Sequence, residues 1–331
     1  MDGKLLDRTH HNKASPNVTS LIQTLSGNAP STHAFGTMQF GVGTPEPDCA
    51  AVFNACREAG ITVFDTAFGY TDGASETILG KLVAKERDDL LILTKCAHPA
   101  PSTRANILSQ VDTSRKRLNM DVIDVLFLHR WDANTPLEET LGALAELQEQ
   151  GIVRSLGVSN FSAWQVMKAQ AVCAGLGTRI DVIQPMYNLV KRQAEVELFP
   201  MCLSEGIAVT PYSPVAGGLL SGKYGRGGSG RLDENPEYTA RYSENWVRDT
   251  AGAFAGLAAD LGEDSVTLAV MWAARHPAVT APLISGRTLD QLRPSLAAIG
   301  RQMPDDLYDR VANLSRTPPP ATDRLEEQIG T

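Results

Sequence analysis

ITVFDTAFGYTDGASETILGKLVAKERDDLLILTK, residues 61–95, holds one complete unit of this chain's architecture. A β-rich run, Ile61–Phe64, leads through a loop into Ser75–Leu82, where Ile78, Leu79 and Leu82 share one helical face; a second apolar run follows at Leu90–Thr94. Strand, helix and strand in that order predict two parallel strands joined by a crossover, because parallel neighbours cannot be joined by a tight hairpin. The same theme extends in both directions. Further strands are expected at Ala34–Met38, Val122–Leu128, Val153–Val158, Val182–Gln184, Ile207–Pro211 and Ala281–Ile284, and further helices at Asp48–Ala59, Leu137–Gln150, Ser162–Cys173, Glu195–Leu203, Ser265–Arg275 and Leu289–Ile299. Eight strands on a chain slightly over 300 residues predict a (β/α)8 TIM barrel; a doubly wound sheet would need a second domain, and no linker marks its boundary. The expected organisation is one barrel domain over residues 1–331, with four special regions. These are an undefined leader (1–32), a long irregular Gly-rich loop after strand seven (217–245), one more helix carrying Leu307, Val311 and Leu314, and a mobile tail (316–331).

Composition narrows the function classes. Of 331 residues, 43% are hydrophobic and 21% charged, enough to bury a sizeable core. Thirty basic against 38 acidic side chains give a net charge of −8, which argues against nucleic acid or an anionic membrane surface as partner. The first twenty residues hold no apolar run with the length of a signal peptide core, and no apolar stretch anywhere is long enough for a membrane span. The five cysteines, Cys49, Cys56, Cys96, Cys173 and Cys202, are widely spaced and form no C-x-x-C pair, so free thiols in a cytoplasmic protein are expected. In that compartment the N-x-[ST] triplets at Asn17, Asn160 and Asn313 carry no glycan.

Gly225, Gly227 and Gly230 satisfy the dinucleotide spacing G-x-G-x-x-G, but no strand precedes them directly and no apolar helix follows, so they read as a loop tip. Phosphate-loop, H-E-x-x-H and G-x-S-x-G signatures are absent, the six histidines are scattered, and no metal site is expected. The informative polar residues stand at the C-terminal ends of strands, where barrels gather their catalytic groups. Strand two runs into Asp65 and then Tyr70, strand three into Lys95, and strand four into His129. Each alone has a structural explanation, as a loop cap, a half-buried ring, a solvated ammonium or a satisfied core imidazole. Four at neighbouring strand ends point to a site.

FDTAFGY with SETILG, then LTK, LFLHR, LGVSNFS, IQPMYN, PYSPVAGGLLSGKY and LISGRTLDQL resemble, in order, the blocks of the aldo-keto reductase superfamily over roughly residues 34–300. SETILG, WQV, RQAEVELFP and AGGLLSGKY are most similar to its aflatoxin-aldehyde (succinic semialdehyde) reductase branch. The resemblance implies an NADPH-dependent reductase of aldehydes and ketones. Tyr70 would be the general acid, Lys95 and Asp65 its tuning pair, and His129 the group that orients the carbonyl. The physics agrees: an adjacent ammonium stabilises phenolate, and a carboxylate keeps that ammonium charged and fixed.

By the same resemblance NADP(H) would lie over the barrel mouth. Ser159, Asn160 and Gln184 would hold the nicotinamide amide, and Tyr212 would stack on its ring. Asn160 as N-cap of the following helix is locally as good a reading. Ser213, Leu219, Gly222 and Lys223 would cover the pyrophosphate, and Ser285, Gly286, Arg287, Gln291 and Ser295 would surround the 2′-phosphate. Pro294 and Ser295 depart from the acidic-then-Asn pair common in the family. Met38, Phe68, Trp131, Arg231, Tyr242 and Trp246 are candidates for the substrate pocket. Arg231 would grip a substrate carboxylate unless Asp233 and Glu234 pair with it. The partner expected is a small carbonyl compound, on a monomer or homodimer. The alternatives are a channel β-subunit-like cofactor sensor with little catalysis and a metal-dependent barrel hydrolase.

Overall fold

The expected apolar runs form eight strands in a computed structural model that describes residues 22–328; residues 1–21 of the leader, with Asn17, and residues 329–331 of the tail lie outside them. In chain order the elements are β1 (Ala34–Gly36), α1 (Glu46–Glu58), β2 (Val63–Asp65), α2 (Ala74–Val83), β3 (Leu91–Cys96), α3 (Arg104–Leu118), β4 (Ile123–Leu128), α4 (Leu137–Glu149), β5 (Val153–Ser159), α5 (Ala163–Gly175), β6 (Ile180–Gln184), α6 (Leu198–Glu205) and β7 (Ala208–Val209). Three helices, α7 (Arg231–Glu234), α8 (Pro236–Arg241) and α9 (Asn245–Asp260), precede α10 (Ser265–Arg275), β8 (Leu283–Ile284), α11 (Leu289–Leu296) and α12 (Asp305–Ala312).

All pairings are parallel, in the order β7-β6-β5-β4-β3-β2-β1-β8. The ends of that order meet. Leu283 N donates to Pro211 O at 2.8 Å and Thr280 N to Val209 O at 2.8 Å, closing the sheet into a (β/α)8 barrel. β7 and β8 are shorter than their apolar runs because Pro211 and Pro282 have no N–H with which to continue a ladder.

The strand period of two sorts the core into two shells. Val63, Leu91, Leu93, Val125, Phe127, Val182, Ala208 and Leu283 fill the barrel interior, whereas Phe64, Ile92, Leu126, Leu156 and Ile183 pack outward against the helices. Gly157 is required inside: a Cβ there would stand 2.6 Å from the Phe127 ring. Two residues beyond the inner layer, the same parity aims Asp65, Lys95, His129, Ser159, Gln184 and Ser285 into the mouth, and the next turn of the seventh unit adds Tyr212. The apolar plug thus forms the floor on which a polar site stands.

Three regions differ from the sequence expectation. α3 hides its period because its buried stripe, Ile107, Gln110, Val111, Ser114 and Leu118, includes two polar residues; Gln110 accepts from Ala97 N at 2.8 Å. α9 lies outside the expected helices and buries Val247, Thr250, Ala251, Phe254 and Ala258. Residues 217–245 are not one irregular loop but turns around Leu219 and Tyr224 followed by α7 and α8. Gly225, Gly227 and Gly230 lie on these turns, without a preceding strand.

Burial also sets a pH dependence. Desolvation lowers His33 from the ordinary 6.5 to about 4. The same cause dominates at His276, also lowered to about 4. An imidazole that stays neutral in the fold but takes a proton when unfolded stabilises the fold fully above its unfolded pKa and progressively less below it. Tm is therefore expected to hold above about pH 7 and fall as pH drops through the interval between about 6.5 and 4. Thermal unfolding of the His33→Gln variant should show a shallower decline; a parallel loss in variant and unaltered chain would reject His33 as a source.

Candidate active site

Parallel register brings the strand-end residues together. Asp65 pairs with Leu93 and Lys95 with Phe127, so the two inward side chains lie on adjacent strands with Lys95 one inner layer higher. Lys95 Nζ donates to Asp65 Oδ1 at 2.5 Å, to Thr66 O at 2.8 Å and to Tyr70 Oη at 3.3 Å, so all three ammonium donors have acceptors. Gln184 Nε2 donates to the other carboxylate oxygen at 2.8 Å. Asp65 and Lys95 are each 1% exposed, whereas Tyr70 and His129 are half-buried at the mouth. The His129 ring meets Tyr70 edge to face, centroids 5.7 Å apart, and His98 likewise at 5.3 Å.

The electrostatics follow from this packing. Burial raises the Tyr70 phenol above its ordinary value, with Lys95 the main opposing charge. Lys95 is held above its own despite desolvation, because Asp65 and Tyr70 surround it. His129 is pushed down to about 3 by burial and by the Lys95, His98 and Arg130 charges. At neutral pH the site therefore presents a protonated phenol, an ammonium and a neutral imidazole. That set can donate a proton to a developing oxyanion and leave a phenolate beside a fixed cation.

Contacts from α2 and α3 hold the loop of Tyr70, and no local motif announces them. Thr71 and Asp72 both adopt left-handed φ (47° and 53°), and Gly73 follows at φ 90°. A side chain at Gly73 would collide with the Arg117 guanidinium. Arg117, from α3, donates to Phe68 O at 2.9 Å and to the fully buried Glu76 at 3.2 Å, and lies over the Phe68 ring at 4.6 Å. Glu76 also accepts from Thr94 Oγ1 at 2.7 Å. The loop carrying Tyr70 is thereby tied to β3 and α3.

Of the residues expected to hold a nicotinamide, Ser159 donates to Gln184 O at 2.9 Å, and Asn160 (φ 59°) donates to His129 O at 3.0 Å while accepting from Tyr212 Oη at 2.7 Å. Asn160 does not cap α5. Ser162 occupies that position, with Gln165 accepting from its N–H at 2.8 Å. Ser213 and Gly222 have positive φ, Leu219 is buried, and Lys223 is half-buried with Nζ 4.9 Å from the Tyr224 ring centre. At the start of α11, capped by Thr288, Gln291 accepts from Arg287 N at 3.1 Å; Ser285 is exposed, Gly286 backs onto Leu292, and Ser295 is buried at 2%.

Met38, Phe68 and Trp131 are half-buried, with Trp131 edge-on to Phe161 and Trp164 at 5.3 and 5.5 Å. Tyr242 is fully buried, its hydroxyl accepting from Asn188 at 3.3 Å. Trp246 lies under Arg316 at 4.9 Å and lines a separate recess with Thr250 and Leu314. Asp233 accepts from Gly230 N at 3.0 Å and Glu234 pairs with Arg287 at 2.8 Å, so neither neighbour takes Arg231. Instead Arg231 and Arg241 lie 5.1 and 4.6 Å from the Tyr238 ring centre, and among the described residues neither is within ion-pair distance of a carboxylate. Among the described residues no cluster of His, Cys, Asp or Glu has the makings of a metal site, all five cysteines are buried and free, and no helix is long and apolar enough to cross a membrane.

The description of the aldo/keto reductase family matches residues 34–316, which span the whole barrel and include Asp65, Tyr70, Lys95 and His129. The chain belongs to the aldo/keto reductase family. Aflatoxin B1 aldehyde reductase member 2 of Homo sapiens is 41% identical over 196 residues, 57% of this chain and 54% of that protein. A probable voltage-gated potassium channel subunit beta of Arabidopsis thaliana is 32% identical over 295 residues, 83% of this chain and 89% of that protein. The uncharacterized oxidoreductase YrpG of Bacillus subtilis is 33% identical over 288 residues, 80% and 86% of the two chains. This aldo/keto reductase is thus an oxidoreductase of carbonyl compounds. Its aligned stretch covers just over half of the human aflatoxin-aldehyde reductase.

Proposed function

We propose that the protein reduces aldehydes and ketones to alcohols with NADPH, using Tyr70 as the proton donor. The observation that carries this reading is Lys95 Nζ held between Asp65 Oδ1 at 2.5 Å and Tyr70 Oη at 3.3 Å on the floor of the mouth. The mouth suits a dinucleotide: Gly217 and Gly218 offer backbone at positive φ, Tyr212 presents a ring fixed through Asn160, and Arg287 stands half-exposed before a capped helix start. Ser159, Asn160, Gln184 and Tyr212 would hold the nicotinamide end, Ser213, Gly222 and Lys223 the pyrophosphate, and Arg287 with Gln291 the 2′-phosphate. The bound cofactor would supply the hydride, which no side chain can.

The chain's own residues do the rest. His129, neutral, donates a hydrogen bond to the carbonyl oxygen and orients it. Tyr70 Oη passes its proton to that oxygen as negative charge develops, and Lys95 stabilises the phenolate left behind. Asp65 keeps Lys95 charged, and Gln184 fixes the carboxylate. Consumption of NADPH with a panel of aldehydes tests the reading; binding without turnover on every carbonyl offered would favour the alternative drawn from the channel β-subunit relatives.

The arginines over Tyr238 support a preference for substrates with a carboxylate remote from the carbonyl. Replacing Arg231 with Gln is expected to raise KM for such an aldehyde by about 10- to 100-fold, the loss of one charge-assisted hydrogen bond, with little change for a neutral aldehyde of the same length. Equal KM changes for both substrates would reject the assignment.

A further inference from the structure

Two consecutive residues near the start of α2, Ser75 and Glu76, are fully buried beneath the loop that carries Tyr70. Ser75 joins the elements on the Asp65 side. Its N–H donates to Thr71 Oγ1 at 3.0 Å, its hydroxyl donates to Thr37 O at 2.9 Å, and Thr66 Oγ1 lies 2.8 Å from Ser75 Oγ. Thr66 is also the residue whose carbonyl accepts from Lys95 Nζ at 2.8 Å. Glu76 reaches the other way. One carboxylate oxygen accepts at 2.7 Å from Thr94 Oγ1, the residue before Lys95; the other accepts at 3.2 Å from Arg117, whose same nitrogen donates to Phe68 O at 2.9 Å. Gly80, which has no side chain, lets α2 lie directly on the backbone of Leu118 and so brings Arg117 within reach. Glu76 thus ties the strand that holds the ammonium to the loop that holds the phenol.

These ties act on a loop that would not keep its shape alone. Thr71 and Asp72 follow Tyr70 directly at φ 47° and 53°, and a β-branched residue takes that conformation only where its surroundings impose it. Thr71 is held on both sides, since its Oγ1 donates to Phe40 O at 2.9 Å while accepting from Ser75 N. Stability alone does not call for a carboxylate at position 76. The Glu76 side chain is 0% exposed, and a buried ion pair is often no more stabilising than apolar side chains of the same volume. An apolar pair, however, could not bond Thr94 and Phe68 O at once.

We propose that Glu76 is a positioning residue for the proton transfer: through Thr94 on one side and Arg117 on the other it sets the separation of Lys95 Nζ from Tyr70 Oη. This rests on the reading that Tyr70 donates the proton. The contact to Tyr70, at 3.3 Å, is the longest of the three that Lys95 makes, and so the first to be lost when the loop shifts. Lys95 keeps its place without Glu76, because Asp65 and Thr66 O still hold it; the place of Tyr70 Oη depends on its loop.

The test is the pH profile of kcat for carbonyl reduction, with KM and urea unfolding measured on the same preparations. Glu76→Gln keeps the shape but leaves one acceptor for two donors. It is expected to lower kcat by about 10- to 100-fold, the scale of a misplacement of about 1 Å, with KM nearly unchanged. In the complex that kcat reports, bound ligands cover the phenol wherever the loop sits, so the change falls on the lysine contact, and the alkaline limb should move up by about one pH unit. Arg117→Lys, which keeps a cation on Glu76 but cannot also reach Phe68 O, should do the same. Asp124→Asn controls for plain loss of stability. Its carboxylate is as deeply buried and accepts from Arg87 at 2.8 Å, Arg154 at 2.9 Å and Ile92 N at 2.8 Å, but it stands at the opposite end of the barrel. That variant should lower the urea midpoint and leave both kcat and its alkaline limb where they lie in the unaltered chain. An unmoved limb in Glu76→Gln and Arg117→Lys, or an equal movement in Asp124→Asn, would overturn the positioning role alone. No carbonyl reduction by the unaltered chain, or an undiminished kcat in Tyr70→Phe, would overturn the proton-donor reading and this inference with it.

Discussion

Tyr70→Phe is expected to lower kcat for carbonyl reduction by about 10²- to 10⁴-fold, the contribution of a positioned general acid, while leaving dinucleotide affinity and KM nearly unchanged. The substitution is conservative in shape. A phenylalanine ring keeps the edge contact with His129 at 5.7 Å and the cation–π contact with Lys95, whose Nζ stands 4.9 Å from the ring centre. It removes only Oη, and with it the proton and one of three acceptors of the Lys95 ammonium. Asp65 and Thr66 O still hold the lysine. The fold should therefore survive, and the loss should fall on kcat rather than on binding.

Lys95→Met is the more damaging change, because it strikes stability and catalysis together. It leaves the Asp65 carboxylate, 1% exposed, with Gln184 as its remaining side-chain partner. Removing one partner of a buried ion pair costs about 3–5 kcal/mol, most of it the uncompensated charge. Desolvation already raises Asp65, and without the lysine the carboxyl should take up a proton in the folded state. The double variant Lys95→Met, Asp65→Asn removes the stranded charge and should recover most of the stability, while turnover stays as low as in Lys95→Met. Urea unfolding beside kcat on the same preparations checks both halves. A double variant as unstable as the single one would mean that the lysine stabilises by packing rather than by pairing.

The barrel was legible because its parallel strands are apolar on both faces and recur between helical periods, and the four polar strand ends stood out against that background. Parity did the rest: Asp65, Lys95 and His129 each lie two residues beyond an inward apolar side chain, so a sequence reading can aim them correctly. Four kinds of feature escaped. Strand seven and strand eight looked longer than they are, since hydropathy does not register the missing N–H of Pro211 and Pro282. α3 was passed over because Gln110 and Ser114 sit in its buried stripe, and with it went Arg117, the residue that braces Phe68 and Gly73 on either side of Tyr70. Glu234 and Tyr238 could not be assigned in advance, because their partners come from elements whose neighbours exist only after the barrel closes. Trp246 and Tyr242, both aromatic and near the loop, were drawn toward the pocket by sequence position, whereas the fold turns the first toward Arg316 and buries the second.

The assignment of the proton to Tyr70 rather than to His129 is tested most directly by the pH dependence of kcat for carbonyl reduction. With His129 lowered to about 3 and the Tyr70 phenol above its ordinary range, kcat should be level across neutral and mildly acidic pH and decline only on the alkaline side, as the phenol ionises. In Tyr70→Phe that alkaline limb should vanish along with most of the rate. A kcat that instead falls through the ordinary imidazole range, near pH 6.5, and persists in Tyr70→Phe would contradict the account and move the proton to His129.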